Sequence, residues 1–133
     1  MPKPQLIALQ NIAFGELDFG ITVAEVDKQI PFPVKRVYWL HTGAAARQRG
    51  GHAHINSEQY IVAVTGDINV HIVNRQGQKE NYELKNKGIG LYIPPNHWLN
   101  IEMPKHSVLL CLSSHKFEEQ ETVYDLDQFL TMR

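Results

Sequence analysis

Short runs of β-branched and aromatic residues, separated at close intervals by Gly, Pro, Asn or Asp, constrain the fold of this chain most strongly. Runs of about four to eight such residues, several with period-two alternation, are typical of strands in an antiparallel sandwich or barrel. The sequence therefore predicts an all-β domain. The strands are predicted at residues 21–26, 36–41, 59–65, 67–74, 79–84, 90–93 and 107–113.

Turn sequences link the central strands. Asn-Arg-Gln-Gly at 74–77 and Thr-Gly-Asp at 65–67 favour tight turns, so residues 59–84 are predicted to form a meander. A helix is predicted only at residues 123–132, where apolar side chains share one face. Two strand-rich halves favour a jelly-roll β-barrel or sandwich of two Greek keys, with a short C-terminal helix.

Length and charge limit the classes of function. A chain of 133 residues is predicted to be one domain, residues 1–133. The chain has 13 Lys and Arg and 14 Asp and Glu, so no overall positive field is expected to attract nucleic acid or an anionic membrane. No apolar run is long enough for a membrane span, which favours a soluble cytoplasmic protein. The single Cys111 lies in an apolar run and is expected in the core.

The segment RGGHAHINSEQ, residues 49–59, carries the strongest chemical signal. His52 and His54 are two residues apart, so on a strand both project to one face and Ala53 to the other. Two imidazoles on one face can bind a metal ion or move protons. We therefore predict that both histidines line one cavity.

A metal site is the alternative interpretation of these histidines. Together with Glu58 and the later His97, His52 and His54 have nearly the spacing at which three His and one Glu can surround one ion.

Two aromatic residues are further candidates. Tyr38 shares a strand face with Arg36 and Leu40, and its phenol could donate a hydrogen bond to a carbonyl if that face lines the cavity. Trp98 follows Pro-Pro-Asn-His, and either packs in the core or contributes to a binding surface.

These residues also carry a family resemblance. The segments PFPVKRVYW at 31–39, RGGHAH at 49–54, GIGLYIPP at 88–95 followed by Trp98, and YDLDQF at 124–129 span almost the whole chain. They resemble the cupin-fold nucleotide-sugar 3,4-ketoisomerases, which act on dTDP-4-dehydro-6-deoxyglucose in bacterial deoxysugar biosynthesis, including that of lipopolysaccharide O-antigen. The resemblance implies an isomerase of the cupin type that needs no cofactor or metal. It also implies a homodimer with exchanged N-terminal strands, a histidine base at His52, and active-site positions at His54 and Tyr38.

A dTDP-sugar substrate would bring two phosphates to a chain that is almost neutral overall. Arg49 beside the histidines is the first candidate to bind them, because a guanidinium binds phosphate oxygens bidentately. Arg36 and Arg47 are the next candidates, and Gln59 could hydrogen-bond the sugar or the pyrophosphate.

Three positions differ from the pattern of the resembled family. Leu99 stands where a polar residue is expected, Phe14 stands where Arg or Tyr is expected, and residues 117–122 lack expected tyrosines. Product stereochemistry at C4, gluco or galacto, is therefore left open. Two alternatives to a ketoisomerase also remain: a metal-dependent cupin enzyme and a non-catalytic cupin that binds a sugar nucleotide.

Overall fold

The computed structural model describes residues 2–15, 19–85 and 87–132. Twelve strands, one short 3-10 helix and one short α-helix make up this part of the chain. The strands are β1 Gln5–Ala8, β2 Gln10–Ala13, β3 Gly20–Val23, β4 Arg36–His41, β5 Arg47–His54, β6 Gln59–Thr65, β7 Ile68–Val73, β8 Lys79–Leu84, β9 Ile89–Ile93, β10 His97–Met103, β11 Val108–Ser113 and β12 Thr122–Val123. The 3-10 helix is Phe117–Glu119 and the α-helix α1 is Leu126–Thr131.

Two five-stranded antiparallel sheets form the body of the domain. The first has the strand order β1-β9-β6-β11-β4 and the second β12-β5-β10-β7-β8, while β2 and β3 form a separate hairpin. Strands adjacent in space are mostly distant in sequence, as in a jelly roll. The predicted all-β cupin-type fold is therefore confirmed.

The main core lies between the inner faces of the two sheets. Ile61 and Leu109 of the first sheet pack here with Val70, Ile72 and Leu99 of the second, and all are at most 2% exposed. The predicted buried thiol, Cys111, belongs to this core.

The outer face of each sheet is covered by a different terminal part of the chain. Leu9, Ile30 and Phe32 lie over Tyr60 and Val62 on the first sheet. On the second sheet, Phe129 of α1 packs against Ala53 and Trp98. The helix is shorter than predicted because Val123 belongs to β12, which pairs with β5. Asp125 caps the helix, since its side chain accepts a hydrogen bond of 3.0 Å from the Gln128 backbone N–H.

Strand β10 is not among the predicted strands, and it follows the turn that contains Pro94 and Pro95. In the structure the turn ends at Asn96, whose φ of 64° lies in the left-handed region that Asn tolerates. Leu99, Ile101 and Met103 then alternate inward. β10 is central to the second sheet, between β5 and β7.

Both predicted turns are confirmed. Gly77 has a φ of 81° and its N–H donates to the Asn74 carbonyl at 3.0 Å, while Gly66 has a φ of 88° between β6 and β7. Among the described residues, no helix is long and apolar enough to cross a membrane.

Candidate active site

Strand β5 places both histidines on the inner face of the second sheet. His52 pairs with Leu99 and His54 with His97 on β10, and directly paired residues share a face. Ala53 points the other way, into the cluster beneath α1. The prediction that the two histidines share one face of the strand is thus confirmed.

A β-bulge brings Arg49 to the face that carries His52. The two residues are three apart, so a regular strand would put them on opposite faces. In the structure Leu99 pairs with His52 and Ile101 with Arg49, so Gly50 and Gly51 together oppose a single residue, Asn100. The extra residue reverses the alternation, and the inner face of β5 therefore carries Arg49, His52 and His54.

Gly51 allows β5 to approach the tryptophan beneath it. A Cβ at Gly51 would lie 2.1 Å from Cζ2 of Trp98, whereas a Cβ at Gly50 would have no atom within 4 Å. Trp98 is itself held by Phe129, with the ring centroids 6.0 Å apart. The close approach at Gly51 thus fixes the bulge between Arg49 and His52.

The backbone determines which nitrogen of His52 is basic. His52 Nδ1 lies 3.3 Å from the Gly50 carbonyl oxygen. Because a carbonyl can only accept, Nδ1–H donates to it and the lone pair of the neutral ring is on Nε2. Nε2 of His52 is then the nitrogen able to remove a proton.

His54 lies edge to face with His52. The ring centroids are 4.9 Å apart with an interplanar angle of 77°. Nδ1 of His54 lies 3.3 Å from Oγ1 of Thr122, on the neighbouring strand β12. Nε2 of His54 is buried and makes no hydrogen bond with the residues that the structure describes, so it is available to a bound molecule.

Burial keeps both imidazoles neutral. His52 is 3% exposed and His54 is 6% exposed. Burial lowers the pKa of His52 to about 4, assisted by the charge of Arg49 and opposed by the hydrogen bond to Gly50. Burial lowers the pKa of His54 to about 3, assisted by His52, Arg49 and Arg36. Near neutral pH both rings are uncharged, as a general base must be.

Tyr38 faces the same interior from the edge strand of the first sheet. It pairs directly with Cys111, and Arg36 pairs with Ser113. Burial raises the pKa of the Tyr38 phenol, assisted by Cys111 and opposed by the charges of Arg36 and Arg49. The phenol is therefore a protonated donor near neutral pH. The charge of Arg49, on the inner face of β5, helps to lower the pKa of His52 and of His54 and opposes the rise in the pKa of Tyr38.

Gln59 belongs to this inner face as well. It pairs with Ser113, which also pairs with Arg36, so the three side chains form one row across the first sheet. Gln59 is 3% exposed, and its Nε2 makes no hydrogen bond to the described residues. A buried amide of this kind needs a partner, which a polar ligand would supply.

The alternative set of metal donors is not brought together. The carboxylate of Glu58 accepts a hydrogen bond of 2.6 Å from the Tyr92 hydroxyl. Tyr92 packs in the cluster on the outer face of the first sheet, away from His52. His97 lies opposite His54, but its Nδ1 is 3.0 Å from the Pro95 carbonyl. Within residues 2–15, 19–85 and 87–132, no three His, Cys, Asp or Glu side chains are arranged to hold an ion.

Two of the predicted substrate contacts lie elsewhere. Trp98 is 5% exposed and packs against Phe129 on the outer face, so it is a packing residue and does not share the inner face with the histidines. Arg47 pairs with Met103 at the start of β5, about 20 Å along the strand from His54 at its end. There it lines a separate open cavity of about 530 Å³ together with Asp67 and Glu102.

Leu99, which the sequence singled out only as a departure from the resembled family, lies beside His52. It lies directly opposite His52 on β10 and is 2% exposed. The apolar side chain of Leu99 contributes to the desolvation that lowers the pKa of His52. The alternation of Leu99, Ile101 and Met103 was the available signal.

Comparison with known proteins identifies the family. The sequence model described as FdtA: WxcM-like, C-terminal matches residues 3–133. A TDP-4-oxo-6-deoxy-alpha-D-glucose-3,4-oxoisomerase from Aneurinibacillus thermoaerophilus is 29% identical over 111 residues, which is 83% of this chain and 79% of the relative.

Two solved structures share this architecture over almost their whole length. QdtA, a sugar 3,4-ketoisomerase from Thermoanaerobacterium thermosaccharolyticum in complex with TDP, has a TM-score of 0.86 at 26% identity, covering 96% of this chain and 92% of that one. The WlaRB TDP-quinovose 3,4-ketoisomerase from Campylobacter jejuni has a TM-score of 0.87 at 27% identity, covering 98% of both chains. The resemblance stated from the motifs is confirmed, and the chain belongs to the FdtA family, described as WxcM-like, C-terminal.

Proposed function

We propose that this chain is an isomerase that converts TDP-4-oxo-6-deoxyglucose into a TDP-3-oxo-6-deoxyhexose. The observation that carries the proposal is the buried pair of neutral imidazoles, His52 and His54, lying 4.9 Å apart on the inner face of β5. The names of the relatives support the substrate class, and the TDP bound by QdtA supports the nucleotide.

The reaction moves a carbonyl from C4 to C3 through an enediol. A base removes the proton on C3, a proton is delivered to C4, and one more proton passes from the oxygen on C3 to the oxygen on C4. We assign the removal at carbon to Nε2 of His52, because Nδ1 is engaged by Gly50.

The oxygen on C4 becomes negative as the C3 proton leaves. A donor directed at this oxygen would stabilise the enolate in a cavity with little water. Tyr38, whose raised pKa keeps the phenol protonated, and His54, whose Nε2 is unengaged by the described residues, are the two donors proposed for it. One of them would stabilise the oxyanion and the other would carry the proton between the two oxygens.

The diphosphate needs local positive charge. Arg49 lies on the inner face of β5, and Cζ of Arg36 lies 4.3 Å from the ring centroid of Tyr38. The charges of both arginines help to lower the pKa of His54. We propose that they bind the diphosphate and that Gln59 hydrogen-bonds the sugar. Arg47 and Trp98 are not among the proposed substrate contacts, because Arg47 lies at the far end of β5 and Trp98 lies on the outer face.

Incubation of purified, chelator-treated protein with TDP-4-oxo-6-deoxyglucose tests the proposal. NMR of the products is expected to show a 3-oxo sugar, and its C4 configuration identifies the gluco or galacto product. TDP binding without turnover would favour a non-catalytic cupin. Turnover restored only by added Fe, Mn, Ni or Zn would favour the metal-dependent alternative.

Activity and stability are expected to respond differently to acid. Both histidines have a pKa below the ordinary 6.5, so between pH 6.5 and 5 the unfolded state binds more protons than the folded state. The free energy of unfolding should fall by about 2 kcal/mol per pH unit from this pair. The value of kcat/KM should stay level down to about pH 5, because His52 remains neutral there. Urea unfolding and initial rates over pH 4.5–8 check this, and an activity decline centred near pH 6.5 would contradict it.

We further propose a homodimer with exchanged N-terminal strands, in the cytoplasm. The β2–β3 hairpin is almost wholly exposed, including Phe19 at 66% and Ile21 at 48%. On the edge strand β4, Trp39 is 60% exposed. A second copy that covered these side chains would remove them from water.

A double cysteine variant tests the exchange. Ala8 of β1 lies opposite Ile89 of β9, and both are exposed. Ala8→Cys with Ile89→Cys places two thiols at a spacing that a disulfide can bridge. If β1 belongs to the other subunit, mild oxidation yields covalent dimers on a non-reducing gel. If the disulfide forms but the gel shows only chains of monomer mass, β1 is not exchanged between subunits.

A further inference from the structure

An exposed phenylalanine lies against Arg36, which shares a strand face with Tyr38. Phe117 is 68% exposed in the 3-10 helix Phe117–Glu119, and its ring centroid is 5.1 Å from Cζ of Arg36. A side chain this exposed gains little from burial, so packing in the core does not account for it.

Arg36 is contacted by a second aromatic ring. Its Cζ lies 4.3 Å from the ring centroid of Tyr38, which shares its strand face. In the part of the chain that the structure describes, no carboxylate forms an ion pair with Arg36 and no side-chain hydrogen bond involves its guanidinium. Aromatic rings engage the face of a guanidinium and leave its in-plane N–H donors free for an oxyanion.

The loop that carries Phe117 is fastened to the strand that carries the histidines. Asn56, two residues after His54, donates from Nδ2 to the Glu119 carbonyl at 2.9 Å and accepts at Oδ1 from the Glu121 N–H at 2.9 Å. The backbone N–H of Ile55 also donates to the Glu121 carbonyl, at 2.8 Å. These bonds fix the position of an exposed ring relative to the active site.

We propose that Phe117 is a positioning residue for nucleotide binding. With Tyr38, it holds the Arg36 guanidinium so that its N–H donors meet the diphosphate of the TDP-sugar. The inference rests on the proposed function and adds to it a residue that acts through Arg36 and not by touching the reacting carbons. Its loss should therefore weaken binding and leave the chemical step almost intact.

Phe117→Leu removes the ring and keeps an apolar side chain. The Kd for TDP by calorimetry and the KM for the TDP-sugar should each rise about three- to tenfold, as expected for one lost cation–π contact, with kcat within about twofold. Phe117→Tyr and Phe117→Trp should restore binding, because each supplies a ring. Tyr124→Leu alters another exposed aromatic side chain, 73% exposed, and should match the wild type.

The Arg36→Ala background shows whether Phe117 acts through the arginine. There, Phe117→Leu should weaken TDP binding no further, since the group that it positions is gone. An equal loss in both backgrounds would mean that Phe117 touches the nucleotide itself, and unchanged binding in the single variant would mean that it has no role; either result overturns the inference. TDP binding needs no turnover, so a wild type that fails to isomerise the sugar refutes the proposed function separately.

Discussion

His52→Asn is expected to lower kcat by about 10³-fold, within the range that a positioned general base contributes. Asn keeps a polar side chain of similar reach but has no basic nitrogen at the position of Nε2. The Kd for TDP should change less than about threefold, since Arg49 and Arg36, which we propose bind the diphosphate, remain. Single-turnover kinetics and calorimetry on one preparation separate these two effects.

His106→Asn is the matched control. His106 is exposed and has a φ of 55°, a left-handed conformation that Asn accepts readily. Its kcat should equal that of the wild type. If His52→Asn retained more than about a tenth of the activity, proton removal at carbon would belong to another group.

Gly51→Ala is expected to damage both stability and catalysis. The added methyl would overlap the ring of Trp98, which Phe129 prevents from moving away. Overpacking of this kind costs about 2–3 kcal/mol of unfolding free energy. Because the bulge sets the positions of Arg49 and His52, a displacement of about 1 Å should also lower kcat by about 10²-fold.

Gly50→Ala provides the comparison within the same bulge. A Cβ at Gly50 meets no atom within 4 Å, so unfolding in urea and kcat should stay close to wild-type values. If the two alanine variants behaved alike, the contact with Trp98 would not be what holds the bulge.

Period-two alternation predicted which of the candidate side chains share a face of their strand. It correctly put His52 and His54 on one face and Ala53 on the other, and it put Arg36 and Tyr38 on a shared face of β4. These predictions succeed because side-chain direction in a strand is a local property of the backbone.

Features that depend on contacts across the fold were harder to predict. The face of Arg49 depends on a bulge, for which the Gly50-Gly51 pair was only a weak local signal. Trp98 could be assigned to packing only once the position of α1 over the second sheet was known. Glu58 has a suitable spacing for a metal ligand, but it lies just before β6 and its carboxylate accepts a hydrogen bond from the Tyr92 hydroxyl.

The cation–π contacts of Arg36 also could not be predicted from the sequence. Phe117 is distant from Arg36 along the chain, and the two meet because Asn56 fastens the loop of Phe117 beside β5. No local pattern of residues encodes such a contact.

Turnover in D₂O shows whether His52 transfers the proton at carbon. Chelator-treated protein would be incubated with TDP-4-oxo-6-deoxyglucose, and C3 and C4 followed by NMR. We predict a 3-oxo product that carries solvent deuterium at C4, exchange that is indifferent to added metal, and loss of both in His52→Asn. Absence of exchange in the wild-type protein, or exchange that persists undiminished in His52→Asn, would contradict it.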